Sequence, residues 1–328
     1  MPGRAWGGKL MRLATVLTPM SDENLQLAAQ CGVTDIVARY PTGGLPELKE
    51  IQKRVASFGM QVAVVEGYLP IEKIKIGADD GTELRAVIQL LRDMAEIGLP
   101  LLCYNFMAGT DWVRTRVDAP ERGGAKVTAF NLEEVGCAMS LSKTASSVTG
   151  QPVSAAALWS NLERFLTAIV PVAEECGVTL AMHPDDPPLT EFLGKARIMN
   201  SVDNFERLVK LVPSPRNAIC FCQGTFAEMG VDIPAAIRRL GPHIRYVHFR
   251  DIRGKCESFT ETFHDNGQTD MAAAMRAYRD VGFSGPMRPD HVPQLVGEDD
   301  GEPGYTMLGR LFAFGYMRGL MHAVCGRE

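Results

Sequence analysis

Short runs of β-branched and aliphatic residues alternate along this chain with longer stretches whose apolar positions recur at helical spacing. The runs predict eight strands: Leu13 to Leu17, Asp35 to Tyr40, Gln61 to Gly67, Leu101 to Phe106, Thr179 to His183, Ala218 to Gln223, Arg245 to Arg250 and Pro286 to Asp290. Between them, Leu84, Val87, Leu90, Leu91 and Met94 fall on one helical face, as do Leu162, Phe165, Leu166, Ile169 and Val172. Strands that are apolar almost throughout are those covered on both sides. Eight strand-helix units of this kind predict an α/β protein built as one (β/α)8 TIM barrel over 11–328. A doubly wound sheet is the competing architecture. It is disfavoured because Thr18-Pro19-Met20, not a Gly-x-Gly-x-x-Gly turn, follows the first strand.

The regular alternation breaks once, between Phe106 and about Ala155, where Asp111, Trp112, Arg114, the Arg122 to Ala125 turn and the Ser/Thr-rich stretch Ser140 to Gln151 show no strong period. Connections this long are usually functional. Because this one follows the fourth strand, it belongs at the C-terminal mouth of the barrel, where sites of this fold are built, and 107–155 is expected to be a lid or a dimer arm. A mobile surface insertion is the plainer alternative.

Composition narrows the classes. With 328 residues, 46% of them hydrophobic and 22% charged, the chain buries a large core without disulfides or a structural metal. A net charge of -5, with no basic run interleaved with aromatics, argues against a nucleic-acid partner. No stretch approaches the roughly 18 apolar residues of a membrane span, and Met1 to Met11 lacks the apolar segment of a signal peptide, so a cytoplasmic protein is expected. Met1 to Leu10 reads as a disordered extension. The eight scattered cysteines fit reduced thiols rather than a disulfide framework.

The candidate chemistry lies at strand ends. His183 ends strand five, Cys222 strand six and Asp290 strand eight, and His248 lies near the end of strand seven. Each alone has an ordinary explanation as a core histidine or a small buried thiol. In a barrel, however, four consecutive strands offer imidazole, thiolate, imidazole and carboxylate to one rim, the donor types of a borderline divalent ion. Cys220 shares the parity of Cys222 but sits deeper, in the core. An ion on this rim can hold a substrate carboxylate and stabilise an enolate developing beside it. His291 and Tyr305 are candidate proton-transfer groups, and Arg114, Arg250 and Arg288 are candidates for carboxylate recognition, with Arg288 first because it flanks Asp290.

Six blocks of sequence in order resemble the mannonate dehydratase family: Leu102-Cys-Tyr-Asn-Phe-Met107 followed by Asp111-Trp-Val-Arg-Thr115, His183-Pro-Asp-Asp-Pro-Pro188, Cys222-Gln-Gly-Thr225, Val247-His-Phe-Arg250, Met287-Arg-Pro-Asp-His291 and Gly304-Tyr305. The family consists of TIM barrels of the xylose-isomerase-like superfamily that use Mn2+ or Fe2+ to convert D-mannonate to 2-dehydro-3-deoxy-D-gluconate. The resemblance implies that His183, Cys222, His248 and Asp290 bind the metal and that His291 and Tyr305 form the proton-transfer pair; Asn105, Arg114 and Arg288 are expected to meet the substrate. Two stretches depart from the family's pattern. Leu13 to Leu17 stands where the family carries Trp-Arg, and Ile71 stands where its Pro-x-His-Glu sequence has histidine.

The resulting expectation is a metal-dependent hydro-lyase acting on a sugar acid, working as a homo-oligomer. A sugar isomerase or epimerase on the same barrel is the alternative. A catalytically silent sugar-acid sensor is a third.

Overall fold

The computed structural model describes residues 11–109, 112–141 and 152–326. Among these, Arg12–Thr15, Asp35–Ala38, Gln61–Glu66, Leu101–Tyr104, Thr179–Met182, Asn217–Cys222, Ile244–His248 and Pro286–Arg288 form a closed barrel of parallel strands, in spatial order one, eight, seven, six, five, four, three, two. These are the eight runs expected from the sequence, and the closure excludes the doubly wound sheet. Helices follow the strands, among them Gly44–Ser57, Thr82–Glu96, Ala155–Cys176 and Met307–Cys325. Side chains of Ser21, Ser154, Ser201, Asp232 and Asp270 each accept a backbone N–H at a helix start, satisfying donors that the helix cannot pair internally.

The strand period of two divides the core into two shells. Leu102, Leu180, Ile219, Phe221 and Val247 face the helices in one cluster, while Ala14, Val37, Cys103, Ala181, Cys220 and Tyr246 fill the barrel interior. Cys222 and His248 continue the inward-facing parity of Cys220 and Tyr246, one step nearer the C-terminal mouth. Cys220 is fully buried inside the barrel, at the level the sequence suggested.

The insertion after strand four is knitted into the mouth. Arg116–Pro120 and Lys126–Asn131 form a hairpin, and Lys126–Asn131 pairs with Ser258–Glu261, which pairs in turn with Ile252–Lys255. Phe130 and Phe259 face each other across that junction with ring centroids 5.9 Å apart. The hairpin after strand seven was not foreseen from the sequence, and it gives the insertion a fixed seat. Val113–Arg114 pairs separately with Met139–Ser140. The expected extension Met1 to Leu10, Asp111 and most of Ser140 to Gln151 lie outside the described residues.

Candidate active site

Loops leave the barrel just where the inward-facing polar residues begin. Cys222 and His248 are the last residues of their strands, His183 follows strand five directly, and Asp290 lies two residues past strand eight. One donor atom from each of these four lies within 4.8 Å of the other three. Two ligand bonds of about 2.0 to 2.4 Å meeting at one ion span at most that distance, so the cluster is dimensioned for a single cation.

Local contacts prepare these donors. His183 Nδ1 sits 2.6 Å from the Pro184 carbonyl oxygen, which can only accept; Nδ1 therefore carries the proton, and Nε2 is left with its lone pair. The His183 and His248 rings are 4.9 Å apart. His248 Nδ1 is 3.6 Å from Asp290 Oδ2, and Cys222 Sγ is 3.7 Å from the same oxygen. His248 Nε2 is buried 3.3 Å from Glu66 Oε2 but is too poorly aligned to hydrogen-bond. Burial pushes the Cys222 thiol up, yet Arg250 and His183 outweigh it and hold the group well below the ordinary thiol range. Burial likewise raises Asp290, and Arg288 and His291 overcome it, so the carboxyl stays ionised. Thiolate, carboxylate and two imidazoles in this spacing fit a divalent metal ion.

Two arginines, Arg250 and Arg288, bond the cluster through Asp290, and a third, Arg114, stands one carboxylate further away. Arg250 donates to Asp290 (3.1 Å), Glu261 (2.9 Å), Asp186 (2.9 Å) and Glu228 (3.1 Å). Arg288 pairs with Glu66 at 2.6 Å and with Asp290 at 2.7 Å. Arg114, expected to meet the substrate, is fully buried behind the pocket wall, where its guanidinium forks onto Asp186 at 2.6 and 3.0 Å and reaches Glu261 at 2.7 Å. A buried guanidinium needs such partners, and those partners take it out of contact with the pocket.

His291 and Tyr305 stand beside the donors. Glu261 Oε1 is 2.7 Å from His291 Nδ1, so the ring donates from Nδ1 and its Nε2, 3.8 Å from Asp290 Oδ1, is left without that proton. Burial raises Glu261, but Arg250 and His291 outweigh it and the carboxyl is pushed down to about 2. Trp112, from the insertion, stacks on His291 with centroids 4.6 Å apart and meets Tyr305 edge-on at 5.0 Å.

These groups open onto one pocket, whose empty space is about 830 Å3 when the open solvent at its mouth is included. Its lining includes Asn105, His183, His248, Arg288, Asp290, His291 and Tyr305. Asn105 sits at the strand-four side, where Oδ1 accepts from Lys75 Nζ at 3.0 Å. Cys222 lies below the lining. Sequence reasoning missed Glu66, Glu261 and Arg39. Glu66 ends strand three and carried the same strand-end signal as the metal donors, whereas Glu261 sits on the unforeseen hairpin and offered none.

Comparison with known proteins bears on this arrangement. A family described as D-mannonate dehydratase (UxuA) matches residues 18–327. Mannonate dehydratase 2 of Halalkalibacterium halodurans is 32% identical over 325 residues, covering 91% of this chain and 94% of the relative. The mannonate dehydratase of Oceanobacillus iheyensis is 32% identical over 299 residues, 85% of each chain. The crystal structure of mannonate dehydratase from Streptococcus suis serotype 2 superposes with a TM-score of 0.85 at 29% identity, covering 97% of this chain and 94% of that one. An L-ribulose 3-epimerase structure, with a TM-score of 0.62 at 15% identity, shares the fold. The chain belongs to the D-mannonate dehydratase family.

Proposed function

We propose that this protein is a metal-dependent hydro-lyase that removes water from a sugar acid, taking D-mannonate to 2-dehydro-3-deoxy-D-gluconate. The observation that carries this reading is the convergence of four metal-donor side chains and a braced His291–Tyr305 pair on one pocket. His183, Cys222, His248 and Asp290 hold the ion, which we take to be Mn2+ or Fe2+. When bound, it supplies Lewis-acid stabilisation of the negative charge that develops beside the substrate carboxylate.

The chain's own groups move the protons. His291, its Nδ1–H fixed on Glu261, presents Nε2 as the base for the C2 proton, the arrangement by which a carboxylate sets an imidazole's tautomer in other enzymes. Tyr305 supplies its phenolic proton to the C3 hydroxyl, which leaves as water. Trp112 keeps the two rings in register and, with the described residues of the 107–155 insertion, acts as the lid that keeps bulk water from the reacting carbons. Arg288 and Asn105 contact the substrate's oxygens from the pocket wall, while Arg114 positions His291 through Glu261. The same reading places the enzyme in the cytoplasm as a homo-oligomer. No helix among the described residues is long and apolar enough to cross a membrane.

Incubation of the Mn2+-loaded protein with D-mannonate and its epimers tests this directly. A 2-keto-3-deoxy acid is the expected product. Stoichiometric metal without any such product from any aldonate overturns it.

A further inference from the structure

Arg39 follows strand two directly and lines the same pocket. It differs from the other arginines of the site. Arg114, Arg250 and Arg288 are each committed to carboxylates, whereas Arg39 has no hydrogen bond or ion pair among the described residues. Its guanidinium lies instead between two aromatic faces, 5.2 Å from the Tyr68 ring centroid and 5.4 Å from that of Tyr305. Aromatic faces favour a cation without supplying the acceptor oxygens that its N–H groups need, and Glu66 acts on the guanidinium only through space, so this member of the pocket lining keeps its donors unspent.

The surrounding backbone is shaped around this side chain. Tyr68 holds a positive φ of 60°, uncommon for a bulky residue, and that conformation sets its ring beside the guanidinium. Gly67 has a φ of 81°, and a Cβ there would come within 3.1 Å of Arg39 Nη1. A hydrogen bond from Tyr40 N to Gly67 O at 3.3 Å ties the two loops together.

Position indicates what the free guanidinium meets. In the spatial order of the barrel, strand two stands across from strand six, which carries Cys222. Tyr305 neighbours both Arg39 and His291, its ring centroid 5.4 Å from the Arg39 guanidinium carbon and 5.7 Å from the His291 ring centroid. A substrate with its C1 carboxylate at the four-donor cluster and C2 and C3 at His291 and Tyr305 therefore directs its far end toward Arg39; an extended six-carbon chain spans about 6 Å.

We propose that Arg39 binds a second carboxylate at the far end of the substrate, so that the pocket takes six-carbon dicarboxylic sugar acids in preference to their monocarboxylic counterparts. This rests on the sugar-acid hydro-lyase reading above. A guanidinium forms two parallel charge-assisted hydrogen bonds with a carboxylate, and a hydroxymethyl group cannot match them.

The test is calorimetric titration of the Mn2+-loaded protein with D-mannonate and with D-mannarate, the same acid oxidised at C6, using the unaltered chain, Arg39→Met and Arg39→Lys. The unaltered protein should bind mannarate at least about tenfold more tightly than mannonate. Arg39→Met should abolish that preference while changing mannonate affinity little, and Arg39→Lys should retain an intermediate preference. Thermal unfolding and metal content establish that each variant is folded and loaded; should Arg39→Met fail to fold, a reduced preference in Arg39→Lys carries the test. Equal affinities in the unaltered protein, or a preference that survives in a folded Arg39 variant, overturn the proposal. Because binding is read without turnover, an inactive protein that still shows the Arg39-dependent preference contradicts the hydro-lyase reading alone.

Discussion

Glu261 Oε1 lies 2.7 Å from His291 Nδ1, and this contact joins two loops whose residues are 30 positions apart. The carboxylate arrives on the hairpin after strand seven, and the imidazole on the loop after strand eight. Both Arg114 and Arg250 also bond Glu261, so the residue that orients the proposed base is itself held by two buried cations.

Replacing Glu261 by Gln keeps the shape but removes the charge and lets the wrong imidazole tautomer form. We expect kcat to fall by about 10²-fold or more with a much smaller change in KM, since the contact matters most while His291 is protonated. Steady-state kinetics with circular dichroism on the same sample checks this. A variant that is folded and within threefold of the unaltered kcat refutes the role given to Glu261.

Trp112 stacks on His291 without a polar contact to it, so its contribution is positional. An aromatic pair is worth about 0.5 to 1.5 kcal/mol, and Trp112→Ala should therefore cost roughly tenfold in kcat, with Trp112→Phe restoring most of it. Equal losses in the two variants would show that stacking is not what Trp112 provides.

Removing the cation should lower both activity and stability. With metal at about 100 times its dissociation constant, the folded state gains about 2.7 kcal/mol, and chelation should lower the melting temperature accordingly. Cys222→Ser should need far more metal to regain the same melting temperature, because a serine hydroxyl is not ionised at neutral pH. Differential scanning fluorimetry across a metal titration reads both effects.

His264 is fully buried, and burial outweighs the Phe249 backbone contact and the nearby Glu261 to push its pKa down to about 4. Unfolded, the imidazole titrates near 6.5, so below that pH the unfolded chain takes up a proton that the folded one refuses. The stabilisation is complete above about pH 6.5 and is lost progressively down to about pH 4, amounting to about 3 kcal/mol. Urea unfolding at several pH values should show a steeper decline across that window in the unaltered protein than in His264→Phe. Parallel declines would contradict the assignment.

Much of the molecule is legible in its sequence because barrel strands buried on both sides are continuous apolar runs, each marked where it ends by a polar residue. That is why the sequence alone puts His183, Cys222, His248 and Asp290 on one rim. The hairpin carrying Glu261 was not legible. Ile252–Lys255 and Ser258–Glu261 are short and mostly polar, and the second of them is held by pairing with Lys126–Asn131, more than a hundred residues earlier. Arg114 was misplaced for a related reason. The residue type announces carboxylate binding, but whether the carboxylate belongs to a ligand or to Asp186 depends on contacts 72 positions away.

The most direct test of the central claim is an NMR time course of the Mn2+-loaded protein with D-mannonate in deuterated water. Removal of the C2 proton and loss of the C3 hydroxyl leave an enol, which takes up one solvent deuteron at C3 as it becomes the ketone. The predicted result is a 2-keto-3-deoxy acid carrying deuterium at C3. An intact six-carbon acid with deuterium at C2, and no loss of water, would contradict the account and make the protein an epimerase.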